Sequence, residues 1–500
     1  MEPLEELETR LREIVDLRSA AAVLEWDQNT YMPPEGAAAR GRQIATLQRL
    51  AHEKLSDARV GRLLETLEPW ARERADDDPG ACLVRMTRLD FDRATRVPPA
   101  FTARFADHVA RTWNVWTKAR PADDFAMVRP LLERTLEMSR ELAGFFPGAT
   151  HVADPLIDQM DPGMTAASVR ALFSALRAEL VPLARDILSQ PAADDACLKQ
   201  AFPEEAQLAF GGEIIRAIGY DFSRGRQDKT HHPFMTRFSW GDVRITTRVK
   251  ERDLGEALFS TVHEAGHALY ELGTARELDG LPIGEGASAG IHESQSRLWE
   301  NVVGRSRPFW HHFFPKLQAA FPSQLSGISE TTFYRAINKV ARSLIRTDAD
   351  EVTYNLHVMI RFDLELEMLE GKLAVRDLPE AWRARYQSDL GVSSPTDRDG
   401  CLQDVHWFGG QIGGVFQGYT IGNVLAAQLW EAALDQHPDL PEEHARGEFG
   451  TLRAFLVERL HRHGRKHLAP AIIEQATGHP LTIEPYLGYL KGKYGELYGL

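Results

Sequence analysis

The chain has 500 residues, a formal net charge of −14, 26% charged residues and 43% apolar ones. That balance is ordinary for a soluble globular protein long enough to bury a core, and its negative sign argues against a nucleic-acid partner or an anionic membrane surface. No stretch approaches the roughly eighteen apolar residues of a membrane span and the charged opening segment is no secretory leader, while Cys82, Cys197 and Cys401 read as reduced, buried thiols of a cytoplasmic protein.

In chain order, Leu4, Leu7, Leu11, Ile14 and Val15 recur at helical spacing. Acidic residues come first and arginines later, the order the helix dipole favours. A turn is expected over residues 26–31, and Pro33-Pro34 closes that segment before helical character resumes over 37–53. Residues 57–145 alternate helical stretches with breaks such as Asp76-Asp77-Asp78-Pro79-Gly80. Asp161-Pro162-Gly163-Met164-Thr165 reads as a turn into an N-cap-like start, with helices expected over 172–188 and 203–218, the latter stopped by Gly219. The pattern then changes. Residues 234–240 and 243–249, joined by Gly241-Asp242, are expected to pair as an antiparallel hairpin.

Thr261-Val262-His263-Glu264-Ala265-Gly266-His267-Ala268-Leu269-Tyr270 follows and contains His-Glu-x-x-His. Leu254, Leu258, Val262, Ala265, Leu269 and Leu272 form one apolar helical stripe beside it. His263 and His267 are four apart, so both imidazoles project from one face and can bind a single divalent ion. Glu264 is then placed to act as general base on a water. A catalytic site of this kind needs a third protein ligand. Gly286 to Glu300 leads from a Gly and Ser-rich start into a second amphipathic helix. Glu293 there completes a His₂Glu set, with His292 and Glu300 as competing candidates.

Further on, residues 308–321 are aromatic-rich and residues 330–372 give long helical patterns containing Arg346, Asp350 and Tyr354. Residues 379–388 are helical and 391–400 a loop. Gly409, Gly410, Gly413, Gly414 and Gly418 make a flexible stretch around Trp407 and Tyr419 that suits close approach of substrate or a moving lid. Closing helices are expected over 423–434, 447–464 and 468–477.

Six short motifs stand in order: His232-Pro233-Phe234, Asp242-x-Arg244-x-Thr246, His263-Glu264-x-x-His267, His292-Glu293-Ser294-Gln295, Ile345-Arg346-x-x-Ala349-Asp350 and Gly400-x-x-Gln403-Asp404-x-His406-Trp407. In these, and in Trp26 to Pro34 and Asp154 to Gln159, the chain resembles the carboxypeptidase Taq family of zinc-type metallocarboxypeptidases over nearly its whole length. The resemblance implies peptide substrates with a free C-terminal carboxylate, broad side-chain tolerance with little liking for a C-terminal proline, and a homodimer. By resemblance and by chemistry, His406 and Tyr419 are the candidate donors to a tetrahedral oxyanion. Asp404 either orients His406 or caps a helix. Arg346, in the motif that resembles the family's substrate-end motif, is the candidate for the α-carboxylate, because a guanidinium fork is bidentate. Its structural alternative is a salt bridge to Asp350 at i+4. Arg244 is a second candidate, and His232 either shapes the cleft or is a satisfied structural histidine. In one place the pattern departs. The proline and one aromatic of the family's segment before Tyr-Thr-Leu-Gly-Asn are missing from Gly414-Val415-Phe416-Gln417-Gly418-Tyr419-Thr420-Ile421-Gly422-Asn423.

The expected fold is mainly α, a helical, bilobal metallopeptidase with a deep central cleft, a small antiparallel sheet near the metal, and residues 1–500 as one catalytic unit. The cofactor is one Zn²⁺ per subunit, with Co²⁺ and Mn²⁺ open because a His₂-carboxylate set does not enforce one metal. Two rivals are a metallo-oligopeptidase cutting internal bonds and a non-catalytic helical binding protein. The Arg346 motif speaks against the first and retention of Glu264 against the second.

Overall fold

The acidic-first opening segment forms a helix, Pro3–Thr30, that buries Leu7, Leu11, Ile14 and Val15. It runs through the turn expected at 26–31, because Asn29 and Thr30 side chains donate to the carbonyls of Glu25 and Trp26 one turn back and only Pro33-Pro34 ends it. The computed structural model describes residues 2–500. Helices dominate it, as expected, and no helix of the described residues is long and apolar enough to cross a membrane. Leu7, Leu11 and Ile14 belong to a small satellite core with Leu63, Leu64, Val84 and Ile283. The main core gathers the rest of the chain around the His-Glu-x-x-His helix.

That helix, Leu254–Leu272, is capped by Asp253, whose side chain accepts from the Gly255 amide. The sequence reads as one apolar stripe, yet 14 of its 19 residues are buried. It is a central helix rather than a surface one. The helix Glu204–Ile218 packs on it, with Gly211 against Thr261, and the sheet covers a further side.

The sheet is mixed, not purely antiparallel. β2 (Met235–Ser239) and β3 (Asp242–Thr247) make the expected hairpin, with Thr236 opposite Arg244 and a bulge between Arg237 and Ser239. β1 (Gln227–Lys229) adds a parallel edge to β3, Gln227 opposite Ile245. Its Gln-Asp-Lys sequence has no strand signature. Tertiary pairing selects it, since the Gln227 side chain donates 2.8 Å to Thr261 Oγ1 on the motif helix. Val243, Ile245 and Thr247 are buried, and Thr247 bonds Ser260 and Thr261, stitching the sheet to the helix that carries His263.

Two glycines set how closely three helices approach. The helix Ala289–Arg297 passes Gly266 so tightly that a Cβ there would lie 2.6 Å from the Gln295 carbonyl oxygen and the Ser296 Cα. The helix Gln417–Gln436 presents Gly422 to Glu293, where a Cβ would sit 2.5 Å from Glu293 Cγ. Since the obstacle at Gly266 is backbone, Gly266→Ala is expected to cost about 1–3 kcal/mol, read as a lower midpoint in denaturant unfolding. An unchanged midpoint would refute this packing account.

Three further differences from the sequence reading matter for the site. Residues 330–372 are not continuous helix: Glu330–Ile337 and Tyr354–Leu369 flank an irregular stretch, with Arg346 in the short 3₁₀ turn Arg346–Asp348. Tyr419 lies in the first turn of a helix rather than in the glycine loop, which ends at Phe416. Beyond the closing helices foreseen, Glu484–Tyr498 forms a last one, whose Lys493, Tyr489 and Tyr494 converge on the enclosed carboxylate of Glu351.

Candidate metal centre

His263 and His267 stand one turn apart with ring centroids 4.9 Å apart, and each turns Nε2 toward the same carboxylate oxygen. Glu293 Oε2 lies 3.9 Å from His263 Nε2 and 3.5 Å from His267 Nε2. Tetrahedral bonds of about 2.0–2.1 Å separate neighbouring ligand atoms by roughly 3.4 Å, so the three fit a divalent ion of zinc's size. The donors also face inward for a reason. Glu293 Oε1 accepts 2.7 Å from Arg297 Nε, His263 Nδ1 meets Glu300 Oε2 at 2.9 Å, and His267 Nδ1 meets His292 Nδ1 at 2.6 Å. His292 and Glu300, the competing candidates of the sequence reading, therefore stand behind the candidate ligand nitrogens rather than among them.

The second helix is placed from both ends. Ser288 caps it by accepting from the Ile291 amide, and the buried Asp161 carboxylate accepts from Gly290 at 2.7 Å and from Gln417 at 3.0 Å. The turn that begins at Asp161 leads, as expected, into an N-cap, Thr165, which forms a capping box with Ser168. A π-helical turn, Leu298–Val303, then carries Glu300 to His263, where Arg297 and Arg305 hold its carboxylate.

Burial and charge set the titration of these groups. Desolvation pushes Glu264 up to about 7 and His267 down to about 4. At His263 desolvation is outweighed by Glu293 and Glu300, which raise it. Glu264 receives no hydrogen bond from any described residue that would commit its carboxylate, and desolvation with the neighbouring charges alone moves it.

A second group meets the first through an unbroken chain of contacts. Arg297, paired with Glu293, lies over the Tyr354 ring, and the Tyr354 hydroxyl accepts 2.9 Å from Arg346 Nη1. Arg346 Nε donates 2.6 Å to Asp404, which also accepts from His406 Nδ1 at 2.5 Å, and His406 Nε2 lies 3.1 Å from the Tyr419 hydroxyl. Asp404 thus orients the imidazole instead of capping a helix. Arg346 is not bonded to Asp350, which is spent on the amides of Ala341, Val352 and Thr353. The i+4 pairing presumed a continuous helix that is not there. Tyr419, one turn before Gly422, faces the Glu293 helix, and burial raises its hydroxyl so that it keeps its proton.

Arg244 is placed apart. Its guanidinium forks onto Asp242 at 2.9 and 2.8 Å and stacks over Trp26 at 4.4 Å, so its polar contacts lie outside the other candidates. His232 is exposed in the loop before β2, where desolvation and the positive charges of Arg248, Arg346 and His406 lower it. The sequence reading missed Arg297 and Arg361. An arginine four residues after a glutamate is ordinarily a solvated surface pair. Arg361 is fully buried, donating to Asp404 and to Gln403, and nothing in its local sequence marks that.

Behind His406, the Trp407 indole donates 2.7 Å to Glu365, and burial pushes that carboxyl up to about 8. A raised carboxyl contributes stability that is complete below its unfolded pKa and lost as pH rises through the folded one. Stability should thus fall between about pH 4.5 and 8 from this group, by an amount on the order of a few kcal/mol. Glu365→Gln, which imitates the protonated form, should flatten that slope in melts run across the range. A slope as steep as the parent's would refute the assignment.

A family model described as carboxypeptidase Taq (M32) metallopeptidase matches residues 6–494. Thermostable carboxypeptidase 1 of Thermus thermophilus is 40% identical over 500 residues, covering 98% of this chain and 97% of that protein. Carboxypeptidase 1 of Bacillus subtilis is 35% identical, covering 98% and 97%. The crystal structure of an M32 carboxypeptidase from Deinococcus radiodurans R1 is 51% identical and superposes with a TM-score of 0.97 over 100% of both chains.

Proposed function

The chain belongs to the carboxypeptidase Taq (M32) metallopeptidase family, and on that premise we propose how its residues divide the work of a metallocarboxypeptidase. His263, His267 and Glu293 hold the ion, one zinc per subunit in this reading. When bound, such an ion polarises the scissile carbonyl and lowers the pKa of a water. Glu264 takes the proton of the attacking water and later delivers it to the leaving amine. The Tyr419 hydroxyl and His406, whose ring Asp404 holds, stabilise the oxygen that becomes negative.

Arg346 anchors the substrate's α-carboxylate. One observation carries this: Arg346 and Arg361 share the single carboxylate of Asp404. Glu365 nearby is held protonated up to about 8 by burial, so it adds no second negative charge below that pH. One guanidinium charge is left without a partner. Arg361 is fully buried, whereas Arg346, beside Tyr419 and His406, keeps 7% of its surface exposed, which leaves it to meet an incoming carboxylate. His232 shapes the wall of the cleft in this reading, and Arg244, held by Asp242 and Trp26, has a structural role. A homodimer, as the resemblance implies, with broad side-chain tolerance and the cytoplasmic setting read from the three reduced thiols, completes it.

The test compares one N-blocked peptide as free acid and as C-terminal amide, each with metal-loaded enzyme and with chelator, the products weighed by mass spectrometry. Stepwise loss of terminal residues from the acid alone, abolished by chelator, is the expected result. Cleavage of the amide at internal bonds would sink the anchor and point to an oligopeptidase.

A further inference from the structure

His267 and His263 are supported differently. Behind His263 stands a carboxylate, Glu300, at 2.9 Å. Behind His267 stands another imidazole, whose far nitrogen, His292 Nε2, lies 3.0 Å from Glu271 Oε1. The same Glu271 oxygen accepts from the Gly286 amide at 3.0 Å, and Oε2 faces Arg237 of β2 at 3.5 Å. The carboxylate end is enclosed, Glu271 being 5% exposed, while His292 is partly exposed and rests against the Tyr270 ring at 5.2 Å. A Cβ at Gly286 would fall 2.6 Å from His292 Cδ2 and 2.9 Å from Glu271 Oε1, so the loop is closed onto the pair.

The hydrogens along this chain can be assigned one after another. An ionised carboxylate only accepts, so His292 Nε2 carries a hydrogen toward Glu271. Two ring nitrogens 2.6 Å apart share a single hydrogen between them. If His267 gives Nε2 to a metal, its own hydrogen must sit on Nδ1, and His292 Nδ1 must accept it. Each assignment agrees with the next.

We propose that His292 and Glu271 are positioning residues, a carboxylate–imidazole relay that fixes the tautomer and ring orientation of His267 and so raises its affinity for the metal. This rests on the reading of His263, His267 and Glu293 as the ligand set. His292, both of whose nitrogens are engaged, supports the site without entering it. Arg237 anchors the far end of the relay to β2.

The experiment measures metal affinity rather than turnover. Zn²⁺ and Co²⁺ dissociation constants are taken by chelator competition for the full chain, His292→Phe, Glu271→Gln and the double variant, with melting of each apo protein as a check on folding. His292→Phe keeps the ring's shape and removes its nitrogens, so it should weaken binding by about 10–100-fold. Glu271→Gln should lose less, and the double variant no more than His292→Phe alone, because a relay broken once is broken. In the Co²⁺ protein, the exchangeable, paramagnetically shifted Nδ1–H signal of His267 should move or vanish in His292→Phe while that of His263 stays. A folded His292→Phe protein within twofold of the parent, or additive losses in the double variant, would overturn the relay. If the phenylalanine variant does not fold, His292→Asn serves instead: its carbonyl is an acceptor, and full loss of the His267 signal with unchanged affinity would overturn the proposal equally. His267→Ala separates the two levels of the argument. Stoichiometric metal retained there would defeat the ligand assignment itself, whereas loss there with no effect at His292 defeats only the relay.

Discussion

Glu264→Gln is expected to lower kcat by about 10²–10⁴-fold while bound metal stays near one ion per chain, measured by turnover of a free-acid peptide beside metal analysis of the same sample. The carboxylate is buried within the motif helix and desolvation pushes it up to about 7, so near neutrality it stands close to the balance between holding and releasing a proton. That is the requirement for a group that must accept a proton in one step and return it in the next. The amide keeps the shape, touches none of the three candidate ligands' bonds and cannot accept a proton. Loss of metal together with activity would instead give Glu264 a structural role.

Arg346→Ala is the second large effect. A hydrogen bond to a charged group is worth about 1.5–3 kcal/mol, so kcat/KM for a free-acid peptide should fall by roughly 10–100-fold. The fall should reside chiefly in KM. Because Arg346 also steadies Asp404, and Asp404 holds His406, some loss of kcat should accompany it. The inhibition constant of the C-terminal amide of the same peptide should rise much less, and the ratio of acid to amide is the decisive reading. Equal losses on both would mean that Arg346 acts only by holding Asp404. Arg346→Lys keeps the charge but not the fork, and should recover only part of the discrimination.

How much of the site was legible depended on how far each part lies from the rest along the chain. His263, Glu264 and His267 are visible because a helix converts a spacing of four into a shared face, a local rule that sequence displays directly. Glu293 is visible as a carboxylate opening the next helix, with His292 and Glu300 as competing candidates there. Only packing separates them: the π-turn turns Glu300 to the back of His263, and His292 takes its place behind His267. Arg346 was legible as a residue and misplaced as an element. The helical pattern over 330–372 suggested an Asp350 partner, whereas the irregular stretch brings in Asp404, 58 residues later. β1 went unseen because three polar residues carry no pattern, and a strand so short exists only by pairing.

By itself, then, the sequence determined the helical class, the motif helix, the hairpin beside it and the family to which the chain belongs, since each rests on short-range periodicity or on contiguous motifs. The tertiary structure alone decided which side chains meet: two arginines on one aspartate, an imidazole behind an imidazole, and helices that touch only because Gly266 and Gly422 have no side chain. The physical reason is that hydrogen bonds and charges in a buried site are matched between residues tens to hundreds of positions apart. Local propensity carries no information about such partners, and close packing fixes them.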